Sequence, residues 1–220
     1  MSVRKLTDGL RGDQYEFSGD YLTRESRMLF LRGVIMGYPP SPEHIGREDP
    51  YSSMSIAEDI MVLSKEDPNK PIWLFVDSVG GEVTNGFMLY DTINMAPAPI
   101  YTVGVNAASM ATTIMVAGKK RYITPHAKIM IHLPQTLFAG DSDELETKSK
   151  QVNRIKNELV DIFIEHGAHA GLGMTAPEKK IKNKIMKDIN KEKWFNAQEA
   201  LDYGLVDEIL TTEMLYGKSD

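Results

Sequence analysis

The sequence predicts an α/β fold in which a mainly parallel sheet is covered by helices. Two apolar runs, residues 71–76 and 100–104, have the length of strands and lack polar alternation. This pattern is typical of strands that are buried on both faces of a parallel sheet. Residues 85–95 lie between the two runs and have a helical pattern, so the three segments predict a right-handed strand-helix-strand crossover unit.

The composition narrows the possible functions. The net charge of −6 argues against a nucleic-acid partner, because phosphate binding depends on clustered lysine and arginine. The chain has no cysteine and no apolar run long enough to span a bilayer, so we expect a cytoplasmic protein without membrane contact. Its five histidines are scattered, and we expect neither a metal site nor another cofactor.

The first half of the chain divides into an arm, a strand, a loop and a helix. Residues 1–27 are polar and lack a clear period, so we expect an N-terminal arm followed by a single domain at residues 28–220. Residues 28–36 predict a buried strand, and residues 37–53 predict a long, proline-bearing loop. The run Ser55-Ile56-Ala57-Glu58 has the pattern of a capping box and predicts that a helix begins there.

The second half contains further short strands and a long helix. Residues 119–123 and 128–131 predict two strands separated by Thr124-Pro125. Apolar residues at steps of three and four predict a long amphipathic helix at about residues 142–166. Two further capping boxes begin at Thr175 and Asn196, and residues 205–209 predict a final strand.

Ser109 is the first candidate for chemistry. It follows a predicted strand and precedes a helix-compatible stretch that ends at Gly118, so its hydroxyl is expected at a strand-to-helix corner. Unpaired amides at such a corner can stabilise an oxyanion. A serine that only caps a helix is the commoner structure.

A nucleophilic serine needs a base and a pair of oxyanion donors. His132 comes directly after the strand at residues 128–131 and is the candidate base, although a buried core histidine would have the same pattern. Gly80-Gly81 lies in a predicted turn at residues 77–81 and can expose backbone amides, although a simple tight turn is the alternative. Each of the three features is ambiguous alone.

Three short motifs carry these residues in order, and we find them as Asp77-Ser78-Val79-Gly80-Gly81, Ala107-Ala108-Ser109-Met110-Ala111 and Met130-Ile131-His132-Leu133-Pro134. The corresponding motifs of the ClpP family are Asn-Ser-Pro-Gly-Gly, Ala-Ala-Ser-Met-Gly and Met-Ile-His-Gln-Pro. Residues 196–207 are also similar to the end of that family. The chain therefore resembles ClpP, the serine peptidase subunit of the ATP-dependent Clp protease, from about Met28 to Leu210.

The resemblance implies a role for each residue. Ser109 would be the nucleophile of a serine-type endopeptidase and His132 its general base, while the amides of Gly81 and Met110 would form the oxyanion hole. An ungapped count back from Asn196 puts Glu192 where the family has its catalytic aspartate. Asp188, or a dyad without an acid, is the alternative.

The resemblance also implies a fold and an assembly. The fold would be the repeated β-β-α superhelix that ClpP shares with the crotonases, with a protruding handle at about residues 133–166. The chain would form heptameric rings, stacked as a tetradecamer, that enclose unfolded polypeptide substrates and work with an AAA+ ATPase. The apolar stripe on residues 145–163 favours a subunit interface over exposure to water.

Departures from the family's motifs leave two alternatives open. Ala111 replaces a glycine after the nucleophile, Val105 replaces a glycine before it, and Val79 replaces a proline. A structural or regulatory subunit that has lost turnover is the first alternative. A crotonase-type acyl-CoA enzyme is the second, because a fold does not decide the reaction.

Overall fold

The structure is a computed structural model that describes residues 26–36, 53–133 and 141–217. The predicted arm, apart from its last two residues, and nearly all of the predicted loop at residues 37–53 lie outside the described residues. The described elements, in chain order, are β1 (Met28–Ile35), α1 (Ser53–Glu66), β2 (Ile72–Gly81), α2 (Val83–Met95), β3 (Ile100–Ala108), α3 (Met110–Val116), β4 (Lys120–Ile131), α4 (Ser142–Glu165), α5 (Glu178–Ile189), β5 (Lys193–Phe195), α6 (Ala197–Tyr203), β6 (Glu208–Ile209) and α7 (Thr212–Tyr216).

Within the described residues, one sheet of six strands organises the molecule. Its order is β1-β2-β3-β4-β5, and β6 pairs with β4 beside its first residues. Every pairing is parallel except that of β4 with β5. The α/β fold with a mainly parallel sheet is therefore confirmed.

The core lies where helices cover this sheet. Fully buried strand residues such as Leu74, Val76 and Val103 come from the apolar runs, and Ile60, Leu89 and Ile114 pack from the helices. Burying one side chain of this size stabilises the fold by roughly 1.5–3 kcal/mol. The crossover connections make β2, β3 and β4 parallel, so their carboxyl ends lie at one edge of the sheet, where Gly81, Ser109 and His132 meet.

Several predicted boundaries were wrong. The two strands predicted at residues 119–123 and 128–131 are one strand, β4, and its register with β3 shifts between Gly104 and Asn106. Val105 is the single β3 residue at this bulge, opposite four residues of β4. The turn predicted at residues 77–81 belongs to strand β2, and the final strand covers only Glu208–Ile209.

The long helix α4 agrees with its prediction to within one residue. Its N-cap is Asp141, whose side chain accepts hydrogen bonds from the amides of Asp143 and Glu144. The apolar stripe is buried near the end of the helix, at Leu159, Ile162 and Phe163. Leu145, near its start, is 40% exposed. The stripe therefore extends beyond the part of the helix that the described core covers.

Candidate functional site

Ser109 occupies a strained corner between β3 and α3. Its φ of 59° and ψ of −125° lie in a region that a residue with a side chain rarely adopts. Strain of this kind costs on the order of 1–3 kcal/mol and persists only where the surroundings impose it. The Ser109 amide donates to the Met130 carbonyl oxygen at 2.9 Å, which fixes the corner against the end of β4.

His132 faces this corner from the end of β4. Its Nε2 lies 2.7 Å from the Ser109 Oγ, although the two residues are 23 positions apart in the chain. The Leu133 amide, next to the histidine, donates to the Ile189 carbonyl oxygen at 2.9 Å. The structure thus brings together the serine and the imidazole that the sequence analysis singled out, at a distance suitable for proton transfer.

Gly80 lets the end of β2 approach the serine closely. Its φ is +90°, and an added Cβ would lie 2.7 Å from the Ser109 Cβ and 2.6 Å from the Ala108 carbonyl oxygen. Gly81 is equally constrained, because an added Cβ would lie 2.1 Å from the Ile35 carbonyl oxygen. Larger residues would therefore displace either the nucleophile or strand β1.

A pocket of about 290 Å³ opens beside the two side chains. Ser109, His132, Gly81 and Met110 all line it, so the structure brings both predicted oxyanion donors to the same space as the hydroxyl. Apolar residues complete the lining, and they include Val79, Val83, Leu159, Phe163 and Ile189. The sequence analysis missed the contribution of α4 and α5 to this pocket, because that contribution depends on long-range packing.

The surroundings of His132 favour the neutral form of its imidazole. Burial lowers its pKa below the ordinary value, and the negative charge of Glu192 opposes this shift. A lowered pKa favours the neutral ring, which is the form that accepts a proton near pH 7. Electrostatics and geometry therefore agree on what this histidine can do.

Glu192 lies close to His132, but its carboxylate has a different hydrogen-bond partner. The antiparallel pairing of Ile131 with Lys193 brings residue 192 opposite residue 132. The Trp194 Nε1 donates to the Glu192 carboxylate at 2.5 Å. Within the part of the chain that the structure describes, no carboxylate is hydrogen-bonded to His132. Glu192 thus acts on the imidazole through its charge in this structure.

Asp188, the alternative acid, is engaged elsewhere. Its carboxylate accepts hydrogen bonds from the Lys193 Nζ and the Tyr203 hydroxyl, each at 2.9 Å, and from the Lys184 Nζ. Burial acts to raise its pKa, but these three donors outweigh it, so the pKa lies below its ordinary value. The same contact and burial raise the pKa of Tyr203. The structure does not bring Asp188 to His132.

The departures at Ala111 and Val79 fit the backbone that carries them. Ala111 is buried in the first turn of α3, and it is not among the residues with positive φ, so the position does not require glycine. Val79 is 60% exposed at the rim of the pocket.

The described residues contain neither a candidate membrane-spanning helix nor a candidate metal cluster. Among residues 26–36, 53–133 and 141–217, no helix is both long and apolar enough to cross a membrane. The same residues contain no group of three or more histidine, cysteine, aspartate or glutamate side chains arranged to hold a metal ion. Of the two histidines nearest in sequence, the His166 Nε2 lies 2.9 Å from the Tyr90 hydroxyl, whereas the His169 Nδ1 is buried without a hydrogen-bond partner among the described residues.

Comparison with known proteins gives one consistent result. Residues 45–213 match the family model described as Clp protease. The chain is 37% identical over 188 residues to the ATP-dependent Clp protease proteolytic subunit 2 of Corynebacterium glutamicum, a match that covers 84% of each chain. It is 36% identical to the proteolytic subunit 1 of Leifsonia xyli subsp. xyli, over 73% of this chain and 77% of the relative. Proteolytic subunit 1 of Corynebacterium jeikeium is also 36% identical, over 84% of this chain and 90% of the relative.

Proposed function

Because the chain belongs to the Clp protease family, we propose that it is a serine-type endopeptidase in which Ser109 is the nucleophile and His132 the general base. Membership of the family confirms the resemblance found in the motifs and the expectation of a peptidase. The observation that carries the serine-type assignment is the 2.7 Å contact between the Ser109 Oγ and the His132 Nε2.

In the proposed mechanism, His132 removes the hydroxyl proton while the Ser109 Oγ attacks the carbonyl carbon of a peptide bond. The resulting tetrahedral intermediate collapses, and the imidazolium returns the proton to the departing amine. His132 then removes a proton from a water molecule as that water attacks the acyl-enzyme, and it returns the proton to the Ser109 Oγ as the bond between the acyl group and that oxygen breaks. The lowered pKa of His132 supports this role, because it favours the neutral ring that accepts the proton.

The amides of Gly81 and Met110 are the proposed donors to the oxyanion. Both residues line the pocket that contains the serine hydroxyl. Met110 is the first residue of α3, and the first amides of a helix have no partner within it. Donors fixed before the reaction stabilise the developing charge without having to reorganise.

We assign Glu192 a supporting role through its charge. The charge of Glu192 raises the pKa of His132 and so stabilises the imidazolium that forms during the reaction. In this proposal the Ser109–His132 contact works without a carboxylate hydrogen-bonded to the ring. We assign Asp188 a role in stabilising the fold, through its contacts with Lys184, Lys193 and Tyr203.

The proposal extends to the assembly. Membership of the family implies an oligomeric protease that works with a Clp ATPase. For this chain we propose the arrangement that the resemblance implies: two stacked heptameric rings, an AAA+ ATPase as partner and unfolded polypeptides as substrates. The exposed start of the apolar stripe on α4, at Leu145, supports burial in a subunit contact. The proposed division into an arm at residues 1–27 and one domain at residues 28–220, and the cytoplasmic location, stay as predicted.

Labelling with a fluorophosphonate probe tests the chemistry. We expect the assembled protein to be labelled at Ser109, because a serine activated by a base reacts and a helix-capping serine does not. Ser109→Ala and His132→Ala should each lower the hydrolysis of fluorogenic peptides by at least about 10³-fold. Ser142→Ala and His126→Ala, at exposed positions outside the pocket, are the matched controls. An assembled oligomer that is neither labelled nor active would instead indicate a silent subunit.

A further inference from the structure

We propose that Thr112 is a positioning residue whose hydroxyl holds the nucleophile and the base at their working distance. The inference deepens the proposed function and depends on it. Thr112 lies in the first turn of α3, three residues after Ser109, and its side chain is fully buried. Its role follows from the two carbonyl groups that its hydroxyl contacts.

The Thr112 hydroxyl bridges the ends of β3 and β4. Its Oγ1 lies 3.0 Å from the carbonyl oxygen of Ala107, two residues before the nucleophile. It also lies 2.8 Å from the carbonyl oxygen of Met130, two residues before the base. One hydroxyl proton is therefore shared between the two strands just before each of them delivers its reactive side chain.

This bridge lies where the sheet stops providing hydrogen bonds. The ladder between β3 and β4 ends with the pair Ala108–Met130, and the Ser109 amide adds one more bond to the Met130 carbonyl oxygen. Beyond that bond the serine adopts its strained φ of 59°. A strained corner persists only where its neighbours impose it. At Ser109, the Thr112 hydroxyl holds the carbonyl groups of Ala107 and Met130, which flank the corner.

Thr112 acts through its neighbours and not on the substrate. It is absent from the lining of the pocket, whereas the next residue, Thr113, belongs to it. The Thr112 amide also donates to the Ser109 carbonyl oxygen at 3.0 Å. Loss of the hydroxyl should therefore change the rate of the chemical step and leave substrate binding unaffected.

The chain contains a matched control for this threonine. Thr102 is equally buried, and its Oγ1 donates to the Met115 carbonyl oxygen at 2.6 Å. It too belongs to the β3 and α3 region, but it lies in the first part of β3, away from the pocket. The Thr102 Oγ1 also lies 3.5 Å from the Lys120 carbonyl oxygen. Removing either hydroxyl therefore takes a donor from two carbonyl groups, so the two losses of stability should be similar.

The test compares Thr112→Val, which keeps the shape, with Thr112→Ser, which keeps the hydroxyl, and with Thr102→Val. The measurements on the assembled protein are kcat and KM for a fluorogenic peptide and the rate of labelling by a fluorophosphonate. Because a small misplacement of reacting groups costs up to about 10²-fold in rate, we expect Thr112→Val to lower kcat and the labelling rate by about tenfold or more. KM should change by less than about twofold. Thr112→Ser and Thr102→Val should stay within about twofold of the native rate.

The outcomes separate this inference from the proposed function. A native protein that is labelled and active, with Thr112→Val reacting as fast as Thr102→Val, would overturn the positioning role alone. A native oligomer that is not labelled would overturn the proposed function. If Thr112→Val does not assemble, Thr112→Ala and Thr112→Ser differ only by the hydroxyl, and equal labelling rates for that pair would refute the inference.

Discussion

The imidazole of His132 has two neighbours, Ser109 and Glu192, whose surroundings differ in packing and in exposure to solvent. On the serine side, the hydroxyl lies at 2.7 Å from the imidazole, and Gly80 approaches so closely that an added Cβ would lie 2.7 Å from the Ser109 Cβ. On the acid side, Glu192 is exposed, and its carboxylate is bonded to Trp194, which is itself 50% exposed. The serine side of the imidazole is therefore closely packed, whereas the side of Glu192 is exposed to solvent.

The difference indicates how the site is aligned. Packing and backbone hydrogen bonds impose the distance between serine and histidine, since both side chains follow directly from strands of one sheet. The carboxylate at residue 192 adds charge without a bond that orients the ring. We therefore expect changes on the serine side to cost much more activity than changes on the acid side.

Gly80→Ala should have the largest effect. The added methyl group would lie 2.7 Å from the Ser109 Cβ, so the nucleophile has to move, and we expect kcat/KM to fall by about 10²-fold or more. Gly33→Ala is the matched control, because its φ of +71° imposes similar backbone strain but an added Cβ meets nothing within 4 Å. Equal activity of the two variants in peptide hydrolysis would show that the close approach of β2 does not matter.

Asp188→Ala should mainly reduce stability. The side chain is 12% exposed and accepts from two lysines that are each about a third exposed and from the Tyr203 hydroxyl, so we expect chemical denaturation to show a loss of about 1–3 kcal/mol. The folded pKa of Asp188 is lowered, so its contribution is present above the unfolded pKa of about 4 and disappears as the pH falls through the folded value.

Asp161→Ala is the control for that measurement. Asp161 pairs with Lys182, but the two side chains are 49% and 36% exposed, and we expect a loss below about 1 kcal/mol. Equal losses for Asp161→Ala and Asp188→Ala would contradict a structural role for the contacts of Asp188 with Lys184, Lys193 and Tyr203. A stable but inactive Asp188→Ala variant would instead favour Asp188 as the acid.

Glu192→Gln should have the smallest effect. An acid that orients the histidine through a hydrogen bond is worth about 10⁴-fold in rate. Since Glu192 has no such bond here, we expect kcat/KM near pH 7.5 to fall by less than about tenfold. Glu192 raises the pKa of His132, so the variant should keep its base neutral to lower pH. The fall of kcat/KM on the acid side of the pH profile should therefore occur at lower pH. Glu178→Gln, at an exposed position, is the control and should leave the pH profile unchanged.

The same comparison explains which features the sequence could predict. Ser109 and His132 each come at the end of an apolar run, and parallel pairing brings such ends together. The acid side depends on β5, whose three residues pair with β4 from a distant part of the chain. Neither its length nor its pattern distinguishes β5 from a loop. An ungapped count could name Glu192, but it could not reveal the hydrogen bond to Trp194.

Helix starts illustrate the limit of local patterns. Of the three predicted capping boxes, the one at Asn196 is confirmed, with both of its hydrogen bonds present. The one at Ser55 is wrong, because α1 begins at Ser53, whose hydroxyl donates to the Met36 carbonyl oxygen. The one at Thr175 is wrong as well, since Pro177 is the N-cap of α5 and the cap has no side-chain hydrogen bond. The contact of Ser53 with Met36 spans 17 positions in the chain, so a local pattern could not predict that helix start.

Strand β4 has a consequence for which parts of this chain can vary. Near its first residue, the Arg121 side chain holds Asp207 and the Gly204 carbonyl oxygen, and Gly167 lies beside the guanidinium group. The base follows its last residue. Residues 167–173, the glycine-rich segment after α4, therefore contact the sheet at the opposite end of β4 from His132. We therefore expect insertions and substitutions in that segment to leave the distance between the Ser109 hydroxyl and the His132 imidazole unchanged.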